Sequence, residues 1–280
     1  MNAAVPVPEW WGVALAAVLI VATAVVALRE RLGLGRDIAE AAVRAVVQLV
    51  AVGFLLRVLF ERAGIPGSLG WVAGMVVLAG STAGRRARGL PGAVRAATIG
   101  IATGVTLTVG VVVGAGILEA EPRIVVPVGG IIVSAAMQGT TIVLARLRDE
   151  IASSRQQVEA RLVLGLPGRA AFAPHRRLAL RAAISPGIDQ TKVVGLIALP
   201  GTMTGLIIAG VSPLTAIRYQ IVVQYMWLGS VAISGLVASR LASRTAFDEA
   251  HRLRPLAAAP ARRGERRRGP RWRDTRPGPG

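Results

Sequence analysis

The sequence predicts an all-α, polytopic integral membrane protein of about seven transmembrane helices, with its N-terminus outside and its C-terminus inside. Composition is the first ground: of 280 residues, 53% are hydrophobic, 17% charged and 4% aromatic, with 33 Gly and no Cys, too apolar for an ordinary soluble enzyme. The second is a series of uncharged apolar runs of about 20 residues, the length that crosses about 30 Å of hydrocarbon at 1.5 Å per residue. The third is the uneven placement of the 33 basic residues along the chain.

Residues 10–28 are the first uncharged run, and Trp10 and Trp11 suit an outer interfacial belt. No basic stretch precedes it and no small-residue cleavage site follows, so a retained helix is expected, not a signal peptide. Residues 41–60 form the second span, although Arg44, Gln48 and Arg57 leave only 45–56 uncharged, so both arginines must snorkel. Residues 65–84, 96–118 and 124–145 are uncharged and give spans three to five. Residues 193–210 are expected to be the sixth, kinked or broken at Leu199-Pro200-Gly201, and 219–239 the seventh, with Gln220 and Gln224 near its start.

Cutting the chain at these spans puts 28 of the basic residues in one set of loops and only Arg62 and Arg123 in the other. Lys and Arg stay on the cytoplasmic side, which gives the orientation and places the chain in the cytoplasmic membrane. The permease-like transmembrane domain is then 1–240, with a cytoplasmic loop at 146–192. The tail, 241–280, is Arg-, Gly- and Pro-rich from 257 and is expected to be disordered. It is either simply solvated or drawn to the anionic lipid of the inner leaflet. Its one Trp, Trp272, gives no ground for binding nucleic acid.

Several chemistries are excluded. Lys192 is the sole lysine and sits in Gln190-Thr191-Lys192-Val193, so no phosphate-binding GK[ST] loop exists and the chain is not itself an ATPase. There is no HExxH, CxxC or GxSxG. His175 and His251 stand 76 positions apart, so no zinc site and no metal ligand set is assigned. None of the 15 carboxylates falls in the uncharged cores of the expected spans, where a proton-coupled transporter keeps one. The chain is expected to bind no cofactor, and its work to be powered by a partner.

The 146–192 loop is too long to be a plain connection. Ile151, Val158, Leu162, Val163, Leu164 and Leu166 alternate with Arg155, Glu159 and Arg161 as in an amphipathic helix, which Gly165, Pro167 and Gly168 would stop. Such a helix either docks a soluble partner or lies on the membrane surface. Glu159-Ala160-Arg161-Leu162-Val163-Leu164-Gly165 resembles the EAAxxxG coupling signature of ABC-transporter permeases, with Arg161 in place of the second Ala. Glu159, Ala160 and Gly165 are therefore the candidate ATPase-coupling residues.

Asp37, Glu40, Arg44 and Gln48 share one stripe of the second span, where a Glu40–Arg44 pair is expected and Gln48 serves either as interhelical glue or as a substrate contact. In the fifth span Pro127, Gly129 and Gly130 are expected to interrupt the helix before Met137 and Gln138. In the sixth, Pro200 and Gly201 do so before Met203 and Thr204. Breaks at membrane depth are tolerated where they face protein or a watery cavity. Met thioethers and Gln or Thr oxygens can ligate a metal there, although packing is the commoner use of Met. With Gln48 and Gln220, these residues are the candidate translocation path.

Arg36-Asp37-Ile38, Arg44-Ala45-Val46-Val47-Gln48-Leu49, Pro127-Val128-Gly129-Gly130-Ile131-Ile132 with Met137, and the Glu159 stretch together resemble the FetB-type permease family. The run 189–221, DQTKVVGLIALPGTMTGLIIAGVSPLTAIRYQI, is similar to that family's K-T-V-G, L-P-G-M-M-[ST]-G and A-[IV]-[KR]-Y-Q-I patterns. The resemblance covers about residues 10–245. It implies an ABC-transporter permease subunit, a homodimer working with a separate ATPase that binds Mg-ATP, in a family associated with iron export in bacteria and aluminium tolerance in plants. Two positions depart from the pattern: Ser134-Ala135-Ala136-Met137 lacks the Asn of G-N-A-M, and Thr202 replaces the first Met of L-P-G-M-M. The residues by themselves also admit an autonomous secondary transporter or channel for a small solute, or a non-transporting anchor that recruits a soluble partner.

Overall fold

The computed structural model describes residues 9–30, 33–248 and 252–254. Apart from turns and isolated bridges the described residues are helical: α1 (Trp10–Arg29), α2 (Gly35–Val58), α3 (Gly64–Arg86), α4 (Ala93–Gly114), α5 (Pro122–Ser153), α6 (Arg155–Val163), α7 (Gly168–Val193), α8 (Gly201–Ile208) and α9 (Pro213–Thr245). A π-helical turn, Leu59–Ala63, joins α2 to α3, ending at Gly64 with φ 55°. All-α polytopic architecture is what the apolar runs demand, since backbone groups in hydrocarbon must be satisfied within the helix. The tail expected to be disordered lies, from residue 255 on, outside the described residues.

Helices α3, α4, α5 and α9 form the core, and the close approaches give their directions. Ala93 to Gly104 of α4 run antiparallel to α9, with Gly92 against Thr245 and Gly100 against Ser234 and Ala238. α3 packs antiparallel to α4, Gly84 lying on Val94, and parallel to α5, Val72 lying on Gly129. α5 and α9 are parallel: the Ser230 hydroxyl donates to the Ile132 carbonyl, and Gly235 faces Val143. α1 and α2 pack on each other, with Leu28 against Gly35, and show apolar side chains outward nearly everywhere, as lipid-facing helices do.

Three expectations are corrected. Residues 193–210 are broken, as expected, but so fully that they make no spanning helix: α7 ends at Val193, the chain turns through Gly195 at φ 83°, and Pro200 caps the eight-residue α8. Among the described residues six helices, not seven, are long and apolar enough to cross a membrane. The cause is local, because left-handed backbone at Gly195 and a proline without an amide proton stop a helix however apolar the run. Second, α5 is unbroken across Pro127, Gly129 and Gly130. The glycines there admit a neighbour instead, since a Cβ on Gly129 would meet Val72 at 2.8 Å. Third, Glu40 and Arg44 form no ion pair. Arg57 pairs with Glu61 at 3.1 Å near the other end of α2.

The broken segment still completes a crossing. α7 starts beside the end of α9, where the Phe172 ring meets Phe247 edge-on at 6.1 Å, and finishes where Gln224 Nε2 donates to Thr191 Oγ1 at 2.8 Å. α8 packs against α9, and the chain then reaches Pro213. End to end, α7 and α8 retrace α9 in the opposite direction. The alternation that the basic residues imply is therefore kept by a crossing made of two pieces.

Candidate functional site

At the end of the core that carries Arg240 and Arg244, a buried polar chain ties three helices. His175 on α7 is 5% exposed, stacks on Phe172 at 5.6 Å, and its Nδ1 lies 2.7 Å from Glu150 Oε2 on α5. A carboxylate only accepts, so Nδ1 carries the proton and Nε2 is left as an acceptor. Arg161 Nη1 on α6 reaches that Nε2 at 3.4 Å and donates to the Ala171 carbonyl at 3.0 Å. Arg161, His175 and Glu150 thus link α6 to α7 and α5. Val158, fully buried, is the apolar anchor of α6.

The candidate coupling residues sit on this short helix. Arg155 donates to Glu159 at 2.8 Å across one turn, and Ala160 takes part in the closing turn, its carbonyl accepting from the Leu164 amide. Gly165 stands at φ 84°, where Leu166 N bonds back to Arg161 O at 3.2 Å and stops the helix. The amphipathic expectation is met only in part. Val158 and Leu162 turn inward, while Val163 and Leu164 at the tip are 87% and 78% exposed. The tip thus carries two bare aliphatic side chains beside the buried Val158.

The second region lies at the break between α7 and α8. Gln224 is eleven residues into α9, about 16 Å from its start, and buried. One turn earlier, Gln220 is 8% exposed and its Oε1 has no hydrogen-bond partner. On α7, Asp189 and Lys192 pair at 3.6 Å with side chains 73% and 70% exposed. A carboxylate therefore stands alongside the seventh expected span, where the uncharged-core criterion had found none. In the sequence its stretch reads as cytoplasmic loop, whereas α7 rises along α5 and α9 as far as Thr191. Met203 and Thr204 are half-buried on α8, and Thr204 Oγ1 donates to the Pro200 carbonyl at 3.2 Å, tightening the first turn after Gly201.

Gln220 lies on α9, one turn before the Gln224 that bonds Thr191, and Pro200, Gly201, Met203 and Thr204 lie on or at the start of α8, which packs on α9. The α5 candidates are different. Met137 packs against the core, as the commoner use of Met predicts, whereas Gln138 is exposed and donates to Ser134 at 3.4 Å. Pro127, Ser134 and Gln138 share an exposed stripe of α5, with Gly130 half-buried at its margin. Gln48 is exposed on α2, which packs against α1 and the π-helical turn, and it joins neither group. Among the described residues no group of three acidic or His side chains could hold a metal ion.

The family described as "Uncharacterised protein family (UPF0014)" matches residues 10–247. The chain is 39% identical over 254 residues to the rice protein named "UPF0014 membrane protein STAR2", covering 88% of this chain and 89% of the relative. It is 34% identical to the "Probable iron export permease protein FetB" of Escherichia coli K12, over 86% of this chain and 93% of the relative. It is also 34% identical to "Protein ALUMINUM SENSITIVE 3" of Arabidopsis thaliana, over 86% and 88%. No solved structure matches.

Proposed function

This chain belongs to the UPF0014 family of multi-pass membrane proteins, and from that membership we propose that it is the permease subunit of an ABC transporter. It works as a homodimer with two copies of a separate ATPase that binds and hydrolyses Mg-ATP, and it is not itself an enzyme. Its substrate is a metal cation, iron being the candidate that the Escherichia coli relative's name supplies. The observation that carries this reading is α6: a nine-residue helix, anchored by Val158 and Arg161, with a bare aliphatic tip.

Such a helix works as a lever. When ATP closes the ATPase pair, the groove that holds Val163 and Leu164 moves α6. Because Arg161, His175 and Glu150 bind α6 to α7 and α5, those helices move with it. α7 ends at the Gly195 turn, so its motion is released there as displacement against α8 rather than carried through a continuous helix. On this reading the unpartnered Gln220 Oε1 of α9 and the Thr204 hydroxyl of α8 are candidate oxygens for a hard cation, with the Asp189 carboxylate on α7 as a charged group on its way.

The test is co-purification. The chain and its ATPase, expressed together, are expected to form a complex whose hydrolysis responds to Fe(II) or another metal. Val163→Glu with Leu164→Glu is expected to abolish the complex while insertion is unchanged, because both side chains are outside the core. A complex that survives this change would remove α6 as the docking element. A folded chain that binds no ATPase at all would remove the permease reading.

A further inference from the structure

Four arginines converge on one pocket at the Arg240 end of the core, on the far side of α7 from the break. Arg169 and Arg176 project from one face of α7, at spacing seven with Ala173 between them, and Arg240 and Arg244 from one face of α9. The two helices enclose a pocket of about 130 Å³, backed by Phe172 and Ser243. Among the described residues no carboxylate pairs with any of the four. By contrast, Arg155 on the neighbouring helix has Glu159 at 2.8 Å. The nearest acid on an adjoining wall, Asp248, is held by the Arg252 backbone amide at 2.7 Å and its Nε at 3.0 Å.

Retaining basic residues on the cytoplasmic side accounts for their sign but not for their convergence. Arg85 and Arg86, at the end of α3, do the same topological work from exposed positions. Here Arg176 is half-buried beside Arg240. Like charges held together against desolvation and repulsion are a cost that no carboxylate among the described residues offsets by pairing. Guanidinium forks match tetrahedral oxyanions, each fork offering two parallel N–H donors to two oxygens. Position adds the source: from Arg218 to Arg240 α9 rises about 33 Å, close to the hydrocarbon thickness, so Arg240 stands at the inner headgroup level.

We propose that this pocket binds a phosphate group, presented by an anionic phospholipid of the inner leaflet or by a soluble phosphate compound. The proposal does not depend on the transport reading. Purified full-length chain in detergent is titrated with phosphatidylglycerol, with phosphatidylcholine, and with inorganic phosphate against chloride at equal ionic strength, and thermal stability is followed. Arg176→Gln with Arg240→Gln is compared with Arg85→Gln and Arg86→Gln, which remove equal charge elsewhere on the inner face.

Stabilisation of wild type and control by phosphatidylglycerol but not phosphatidylcholine, needing about tenfold more lipid in the pocket variant, supports the proposal with lipid as source. The same pattern with inorganic phosphate alone supports it with a soluble source. No response in wild type, or an equal response in pocket variant and control, overturns it. Should the Gln pair fail to fold, Arg176→Lys with Arg240→Lys keeps the charges but loses the forks. A several-fold weaker response there supports the forked site, and wild-type affinity overturns it.

Discussion

Arg161 stands where the coupling pattern would carry alanine, and its environment accounts for the exchange. One guanidinium nitrogen bonds the Ala171 carbonyl and lies against His175, so the side chain makes a strut that alanine cannot. A hydrogen bond from a charged group is worth about 1.5–3 kcal/mol. Arg161→Ala is therefore expected to leave the ATPase complex intact but lower the transport obtained per ATP hydrolysed, since α6 would then be held only by the apolar contacts of Val158 and Leu162. Transport and hydrolysis measured together in proteoliposomes check this, and an unchanged ratio would refute the strut.

Gly104 makes a second residue-scale case. A Cβ there would fall on the Ser234 hydroxyl, and at Gly100 it would meet the Ser234 carbonyl at 2.7 Å. The approach of α4 to α9 is set by these absent side chains, in the way small residues let membrane helices close. Gly104→Val is expected to lower stability by about 1–3 kcal/mol, the usual cost of overpacking, read as a drop in melting temperature in detergent. Gly110, with nothing within 4 Å of its would-be Cβ, is the matched control.

At the scale of elements, the spans of α1, α3, α4, α5 and α9 were legible because twenty uncharged residues in a row have few other uses. α7 and α8 were not. Asp189 and Lys192 made the end of α7 read as loop, and the uncharged run after them read as a span, although Gly195 and Pro200 divide it. The site was legible to the same degree. Gln220 and the Pro200-Gly201 break stand out locally, whereas Thr191 with Gln224, 33 positions apart, and Glu150 with His175, 25 apart, are joined only by tertiary packing. Because the break concentrates the polar groups, Asp189→Asn is expected to reduce metal transport at least about tenfold, the worth of one charged ligand, with the ATPase complex preserved. Transport at wild-type level would take Asp189 off the path.

At the scale of the molecule, the surface around that break cannot face hydrocarbon. A charged side chain at bilayer depth costs about 2.5–3.5 kcal/mol even by the lenient insertion scales, and both members of the Asp189–Lys192 pair are largely exposed. The exposed Ser134 and Gln138 on α5 add polar surface. Leu78 on α3, with Val77 beside it, stands on an exposed aliphatic face that suits lipid. A second copy of the chain is the cover that the proposed homodimer supplies. In a two-fold interface the same patch meets itself, which lets Asp189 of one copy reach Lys192 of the other. The chain has no Cys, so single cysteines report this without background. Gln190→Cys in native membranes is expected to give a dimer with a short bis-maleimide, and Leu78→Cys none. Cross-linking at Leu78 but not at Gln190 would place the interface on α3 and leave the charged pair to a water-filled path within one chain. That arrangement would favour a transporter whose single copy carries the whole route.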